Sequence, residues 1–186
     1  IAQLDALFAV RDRFRGRNRY YYQTLTDLVR FAIPKGLRVL EIGCGSGDLL
    51  AALEPSEGVG VDLSPRHLEA ARARHPHLTF LDGDAETLDA PELLARAPFD
   101  AVVLADTIGY VSDVWAMLRA LRGVCAPHTR VFLSYYNFAW APLLRWATAR
   151  GLRQPVPDEN WLGRADIHNL LEVNHFEVVK SGVALL

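Results

Sequence analysis

The chain has 186 residues, of which 51% are hydrophobic and 23% are charged, and its formal net charge is -2. This composition suits one globular domain with a real core and argues against a disordered or fibrous protein. The near-neutral charge gives no reason to expect a nucleic-acid-binding surface.

Two cysteines, Cys44 and Cys125, cannot build a disulfide framework, so we expect a reducing, cytoplasmic setting. The sequence shows no secretory signal and no run of the ~18 apolar residues that a membrane-spanning helix needs. The chain begins at Ile1 and closes in the apolar run 182–186 (GVALL), so we expect further residues at both ends.

The N-terminal segment 1–36 is predicted to form a helical cap, because apolar residues recur in it at helical spacing. Gly16 and Asn18 are expected to divide this cap into two helices. The stretch 17–22 (RNRYYY) has two interpretations, a lid over a ligand or an amphipathic helix that packs on the rest of the domain.

After this segment, short apolar runs alternate with helical patterns. The six predicted strands span 38–42, 58–63, 78–84, 99–106, 129–136 and 176–182, and the predicted helices span 47–55, 64–75, 112–124 and 164–176. Such alternation indicates βαβ units, so we predict an α/β, doubly wound, Rossmann-like and mostly parallel sheet with helices on both faces. The long connection 135–162 interrupts the alternation, and long connections in compact domains are often functional.

Three glycines at alternate positions, Gly43, Gly45 and Gly47, follow the first predicted strand in EIGCGSGD. Glycine weakens both helices and strands, so the cluster suggests a close approach to the backbone or a turn with positive φ. In a doubly wound sheet, ligands bind outside the carboxyl ends of the strands, which is where this turn lies. The alternative is a tight strand-to-helix turn with no ligand.

Acidic residues at the next two strand ends strengthen the ligand interpretation. Asp62 stands 19 positions after Gly43, close to the separation at which nucleotide-binding sheets place an acid for the ribose hydroxyls. Its alternative role as a helix N-cap is already filled by Ser64. Asp84 could accept a hydrogen bond from an adenine amino group, although aspartate is also common in turns.

The glycine turn departs from the patterns that bind pyrophosphate. A dinucleotide fold would place Gly or Ala where Asp48 stands, and a carboxylate there would repel a phosphate. No Gly-Lys-Ser or Gly-Lys-Thr follows, so a P-loop is excluded. A nicotinamide-dependent oxidoreductase is therefore disfavoured.

Four stretches together resemble a known family: VLEIGCGSGDLLAAL (39–53), GVDLSP (60–65), LDGDAETL (81–88) and FDAVVLADTIGYVSD (99–113). In this order they are similar to the motifs of class I S-adenosylmethionine-dependent methyltransferases. The resemblance continues to HFEVVKSG (175–182), and it is strongest to a bacterial small-molecule group that is sometimes fused to glycosyltransferases.

The resemblance implies S-adenosylmethionine as methyl donor, S-adenosylhomocysteine as product, and a small molecule or an envelope glycan or lipid precursor as acceptor. It also leaves open a non-catalytic cofactor-binding module attached to a fused or partner glycosyltransferase. It implies one domain over 1–186, with a cofactor-binding core at 37–134, a substrate-side insertion at 135–162, and a C-terminal helix and strands at 163–186. The family's seventh strand is expected to be truncated here.

Roles carried over by position concern the cofactor alone. Glu41 and the loop residues Gly43, Cys44, Gly45 and Gly47 would hold the methionine part of the cofactor, and the Ala105 carbonyl would face its amino group. Asp62 would bind the ribose hydroxyls, and Leu63 would lie beside the adenosine. Asp84 and Ala85 would bind the adenine.

No catalytic side chain stands out, because methyl transfer depends mainly on alignment of the reactants. The candidates are Asp106 after the fourth predicted strand, Tyr136 at the end of the fifth, and His168. A histidine on a helix surface is the more ordinary interpretation of His168. His75 and His77 lack metal-ligand spacing, so we predict no metal site.

Overall fold

The computed structural model describes residues 19–136, 141–151 and 162–184. Four ranges lie outside this part: 1–18, which contain the first predicted helix of the cap, 137–140 and 152–161 of the insertion, and 185–186. No helix in the described ranges has the length and the apolar character to cross a membrane.

Five strands form one sheet in the order β3-β2-β1-β4-β5, and every neighbouring pair is parallel. The strands are β1 Arg38–Ile42, β2 Glu57–Asp62, β3 Thr79–Asp82, β4 Phe99–Ala105 and β5 Cys125–Ser134. The strand order reverses between β1 and β4, which are adjacent in the sheet. This reversal opens a crevice at the carboxyl ends of the strands, as predicted for a doubly wound sheet.

The helices are α1 Arg19–Ala32, α2 Asp48–Ala52, α3 Pro65–Arg74, α4 Pro91–Leu94, α5 Val114–Leu121, α6 Ala141–Ala149 and α7 Arg164–Val173. The helix α3 begins as the sequence indicates, because the Ser64 side chain accepts a hydrogen bond from the His67 backbone and Pro65 stands in the first turn. At the start of α5, the Asp113 side chain accepts from the Ala116 backbone in the same way.

Two apolar cores cover the two faces of the sheet. Alternate residues of β1 point to opposite sides, so Leu40 belongs to one core and Val39 to the other. Met117 of α5 and Ile167 of α7 pack into the first core, while Val29 of α1 packs into the second. Each such side chain contributes about 1.5–3 kcal/mol through burial. The two-sided helical cover predicted from the sequence is confirmed.

The predicted sixth strand is wrong for the described residues. Residues 176–184 follow α7 with no regular secondary structure, and Val179 and Val183 are 88% and 82% exposed. The valine-rich pattern of this run favours a strand, but β-propensity is realised only when a strand pairs and buries a face. No strand seven is present in the described residues, and β5 is the last strand of the sheet on that side.

Candidate active site

A cavity of about 620 Å³ lies at the carboxyl ends of the strands. Its volume falls within the range of about 300–1,000 Å³ that is typical of small-molecule sites. The turn after β1, the ends of β2 and β4, the loop after β3 and the helix α1 all contribute to its walls. The cavity therefore occupies the crevice that the sheet topology creates.

The glycine turn owes its composition to the protein's own packing. Gly43 and Gly47 have φ values of 72° and 73°, which disfavour any side chain. A Cβ on Gly43 would lie 2.5 Å from Oγ1 of Thr107, and a Cβ on Gly47 would lie 2.5 Å from Cζ of Phe80. The close approach predicted at these two positions is thus made by Thr107 and Phe80. Gly43 also lines the cavity, whereas Gly45 and Gly47 are not among the lining residues.

Glu41 brings a buried carboxylate to the end of β1. Glu41 is only 4% exposed, and its Oε2 atom accepts a hydrogen bond of 3.0 Å from the Leu50 backbone N–H. This bond satisfies one of the N–H groups at the start of α2. Glu41 therefore fixes α2 against β1 and places a carboxyl group at the cavity wall.

Asp48 places a second carboxyl group beside the glycine turn, in addition to that of Glu41. Its carboxylate accepts a hydrogen bond of 2.8 Å from Ser46 and lies 2.8 Å from Nε2 of His75 and 3.3 Å from the Arg74 guanidinium. The acidic side chain thus lies where the sequence predicts repulsion of a pyrophosphate. His75 contacts this carboxylate and packs edge-on against His77.

Asp62 accepts hydrogen bonds on both of its carboxylate oxygens. Oδ2 accepts from the Gly45 backbone at 2.8 Å, while Oδ1 accepts from the Ser64 backbone at 2.9 Å and lies 3.3 Å from Nδ1 of His67. Burial alone would raise the pKa of Asp62, but the hydrogen bonds from His67, Ser64 and Gly45 outweigh it and hold the pKa below its ordinary value. Asp62 therefore remains a charged carboxylate at the cavity wall.

The loop after β3 presents Asp84 and Ala85 to the same cavity. Oδ1 of Asp84 accepts from the Glu86 backbone at 2.9 Å, which is the turn role that the sequence left open. Leu63 and Ala105 also line the cavity. The Thr107 hydroxyl donates to the Ile42 carbonyl at 2.8 Å and lies 3.3 Å from the Ala105 carbonyl, so the Ala105 carbonyl has only the longer contact with this donor.

Asp106 forms a separate cluster at the ends of β4 and β5. Tyr21 of α1 donates a hydrogen bond to Oδ2, and Ser134 donates to Oδ1 at 2.8 Å. Burial, followed by the negative charge of Asp106, raises the pKa of the Tyr21 phenol far above its ordinary value. The Tyr21 ring lies nearly parallel to that of Tyr136, at 6.1 Å, and edge-on to that of Tyr22, at 5.3 Å.

The catalytic candidates separate in space. Asp106 and Tyr136 line the cavity, whereas His168 lies on α7 and is absent from the lining. In the described part of the chain, no group of three or more His, Cys, Asp or Glu side chains could hold a metal ion.

Residues 19–22 of the RNRYYY stretch open the helix α1, in which Leu25 and Val29 are buried against the sheet, as expected of an amphipathic helix. Tyr21 and Tyr22 line the cavity, and a lid over a ligand at this stretch stays a prediction. Sequence reasoning missed Thr107 and His67. No local signal marks either residue, because their importance comes from contacts with Gly43 and Asp62 on other elements.

The lining is strongly acidic. It contains seven carboxylates against two arginines: Asp27, Glu41, Asp48, Asp62, Asp84, Glu86 and Asp106, against Arg19 and Arg30. Such a wall favours a cationic ligand and disfavours a polyanion. S-adenosylmethionine carries a sulfonium and an ammonium group with a single carboxylate, so the residues present fit it.

Comparison with known protein families agrees with this fit. A family model described as a methyltransferase domain matches residues 14–181. The chain therefore belongs to this family and is a class I S-adenosylmethionine-dependent methyltransferase domain. The resemblance inferred from the motifs is confirmed.

Two curated relatives each match part of the chain. The ubiquinone biosynthesis O-methyltransferase of Xanthomonas campestris is 33% identical over 112 residues, which cover 58% of this chain and 46% of the relative. The trans-aconitate 2-methyltransferase of Methylobacterium radiotolerans is 38% identical over 104 residues, which cover 54% of this chain and 38% of the relative. The chain thus matches less than half the length of each.

Solved structures show the same fold. A Thermotoga maritima methyltransferase, described as a possible histamine N-methyltransferase, superposes with a TM-score of 0.76 at 20% identity, covering 93% of this chain and 79% of its own. The magnesium protoporphyrin IX methyltransferase of Synechocystis with bound S-adenosylhomocysteine gives a TM-score of 0.69 at 21% identity, covering 97% and 91%.

Proposed function

We propose that this domain transfers the methyl group of S-adenosylmethionine to a hydroxyl oxygen of a small molecule that has an apolar or aromatic part. The observation that carries the proposal is the division of one cavity into two regions. Buried carboxylates lie at the ends of β1 and β2, and a tyrosine wall with Asp106 lies at the ends of β4 and β5.

The first region suits the cofactor. Glu41 and the Gly43–Gly47 turn would hold the methionine part of the cofactor. Asp62 would bind the ribose, and Leu63 would lie beside the adenosine. Asp84 and Ala85 would bind the adenine. Gly45 and Gly47 would act by shaping the turn, since they do not line the cavity. Bound there, the cofactor supplies a methyl group attached to positively charged sulfur.

The second region suits the acceptor. Tyr21, Tyr22 and Tyr136 offer an apolar wall, and Asp106 offers a carboxylate that can accept a hydroxyl proton. Alignment of two bound reactants can supply about 7–11 kcal/mol of the barrier reduction. A positioned base adds typically ~10²–10⁴-fold.

The charge of the wall distinguishes between the acceptor types of the two curated relatives. An acceptor with three carboxylates, such as trans-aconitate, would face the acidic lining described above. Of the two lining arginines, Arg30 is already bound to Glu54 and to the Ala52 carbonyl. A neutral hydroxyl acceptor, as the O-methyltransferase relatives suggest, meets less repulsion. A hydroxyl group of an envelope glycan or lipid precursor is a more specific acceptor within the same proposed class.

The test has two stages. Calorimetric titration with S-adenosylhomocysteine should give binding, and titration with a nicotinamide dinucleotide should give none. Turnover is then measured as release of S-adenosylhomocysteine with phenols, aliphatic alcohols, lipid-linked and glycan acceptors, and polycarboxylates. Binding without turnover on any acceptor or extract fraction would favour a non-catalytic binding module instead, and turnover on polycarboxylates alone would contradict the proposed acceptor class.

A further inference from the structure

Three separate elements converge on the carboxylate of Asp106. Tyr21 reaches it from α1 across 85 positions of sequence, Ser134 reaches it from the end of β5, and Asp106 itself follows β4. The Asp106 backbone N–H also donates to Oγ of Ser134 at 3.0 Å. Both carboxylate oxygens therefore accept a hydrogen bond from the chain's own hydroxyl groups.

The backbone at Asp106 is strained. Its φ of 57° lies in the left-handed region, which a residue with a side chain rarely adopts. Such a conformation persists only where the surroundings over-determine it, and it is concentrated at functional sites. The hydrogen bonds from Tyr21 and Ser134 are the contacts that fix this carboxylate at the cavity wall.

The hydroxyl of Tyr21 donates its proton to Asp106 and also shares a hydrogen bond with Tyr136. Burial and the adjacent carboxylate keep the phenol protonated, so Tyr21 cannot serve as a base. Its ring is fixed between Tyr22 and Tyr136, and both of these neighbours line the cavity. A donor held in this way stabilises the charged form of the carboxylate that it contacts.

We propose that Tyr21 is a positioning residue that holds the Asp106 carboxylate aimed at the acceptor hydroxyl. This role rests on the proposed function. Asp106 takes the hydroxyl proton while the acceptor oxygen bonds to the transferred methyl carbon, and the carbon–sulfur bond breaks with its electron pair left on sulfur. The acceptor hydroxyl would approach Asp106 beside the Tyr21 hydrogen bond.

The kinetic test compares Tyr21→Phe with Tyr20→Phe. Both changes remove one phenol hydroxyl from the same turn of α1, but Tyr20 is 71% exposed and lies outside the cavity lining. Tyr21→Phe should lower kcat at least about tenfold, as part of the ~10²–10⁴-fold contribution of a base, and leave the KM for S-adenosylmethionine unchanged. Ser134→Ala, which removes the other hydroxyl donor, should also lower kcat and leave this KM unchanged.

A second test does not depend on turnover. Protein labelled with ¹³C at the aspartate carboxyl groups is observed by NMR at a fixed pH, and the Asp106 signal is assigned by its loss in Asp106→Asn. Loss of the Tyr21 hydrogen bond should change the chemical shift of this signal. Tyr20→Phe should leave it in place.

The two tests separate the inference from the proposed function. If Tyr21→Phe matches Tyr20→Phe in kcat and in the chemical shift of the Asp106 signal, the positioning role is overturned even when methyl transfer is established. If the Asp106 signal moves in Tyr21→Phe but no acceptor is ever methylated, the Tyr21–Asp106 coupling is upheld and the proposed function fails.

Discussion

Replacement of Asp62 by asparagine removes a charge at the cavity wall with little change of shape. The carboxylate accepts from the Gly45 and Ser64 backbones and from His67. An amide has one oxygen and one NH₂ group, so at least one of these buried N–H donors would face another donor. The substitution should therefore weaken both the fold and the cofactor site.

The magnitude follows from these contacts. A buried donor left without an acceptor costs about 1–3 kcal/mol. In a protein of this size, 1 kcal/mol lowers Tm by roughly 2–4 °C, so Asp62→Asn should lower Tm by about 2–12 °C. Loss of the acidic contact to the ribose should weaken S-adenosylhomocysteine binding at least about tenfold, which corresponds to ~1.4 kcal/mol.

Thermal denaturation and calorimetric titration measure these two effects, and Asp82→Asn is the matched control. Asp82 pairs with Asp62 in the register of β2 and β3, but it is exposed and does not line the cavity. The control should change neither Tm nor affinity. Equal behaviour of the two variants in both measurements would refute the role assigned to Asp62.

Three further substitutions test other parts of the account. Gly43→Ala should destabilise the fold by about 1–3 kcal/mol in urea denaturation, because its Cβ would meet Thr107 at positive φ, whereas Gly109→Ala, with nothing within 4 Å, should change little; comparable losses in both would argue against a steric cause. Hydrogen bonds from Arg38 and Arg96 lower the pKa of Glu57, so its contribution is complete above its unfolded pKa and is lost as pH falls through the lower, folded value. Its side chain is 32% exposed, so Glu57→Gln should cost at most about 1 kcal/mol at pH 7 and nothing near pH 2, and a pH-independent loss would count against the ion pairs. Val179→Ser should change the free energy of unfolding by less than about 0.5 kcal/mol, because Val179 is 88% exposed and no strand of the described residues pairs with it. A loss above about 1 kcal/mol would indicate that residues 176–182 pair as the predicted sixth strand.

Local patterns were sufficient to predict the five strands of the sheet and the acids that line the cavity at the ends of β1 to β3. The runs that became β1 to β5 are apolar because both faces of a parallel sheet are covered, and the acids at their ends are adjacent to turn residues. Asp62 and Asp84 could be found for this reason, since sequence spacing along βαβ units corresponds to neighbouring strand ends.

The long-range contacts of Asp106 and Gly43 could not be predicted in the same way. Tyr21 contacts Asp106, which lies 85 positions further along the chain. Thr107, whose side chain leaves no room for a Cβ at Gly43, lies 64 positions after it. Such contacts arise from tertiary packing and leave no periodic signal. The exposed run 176–182 shows the opposite failure, because a strand-like pattern remained without a pairing partner in the described chain.

The most direct test of the account is an assay for S-adenosylhomocysteine release, in which the wild-type domain and S-adenosylmethionine are incubated with fractionated small metabolites. We predict release with a fraction that contains a hydroxyl-bearing acceptor, a gain of one methyl group in that acceptor by mass spectrometry, and strong loss of both in Asp106→Asn. Absence of release with every fraction, from a domain that binds S-adenosylhomocysteine by calorimetry, would contradict the proposed methyl transfer.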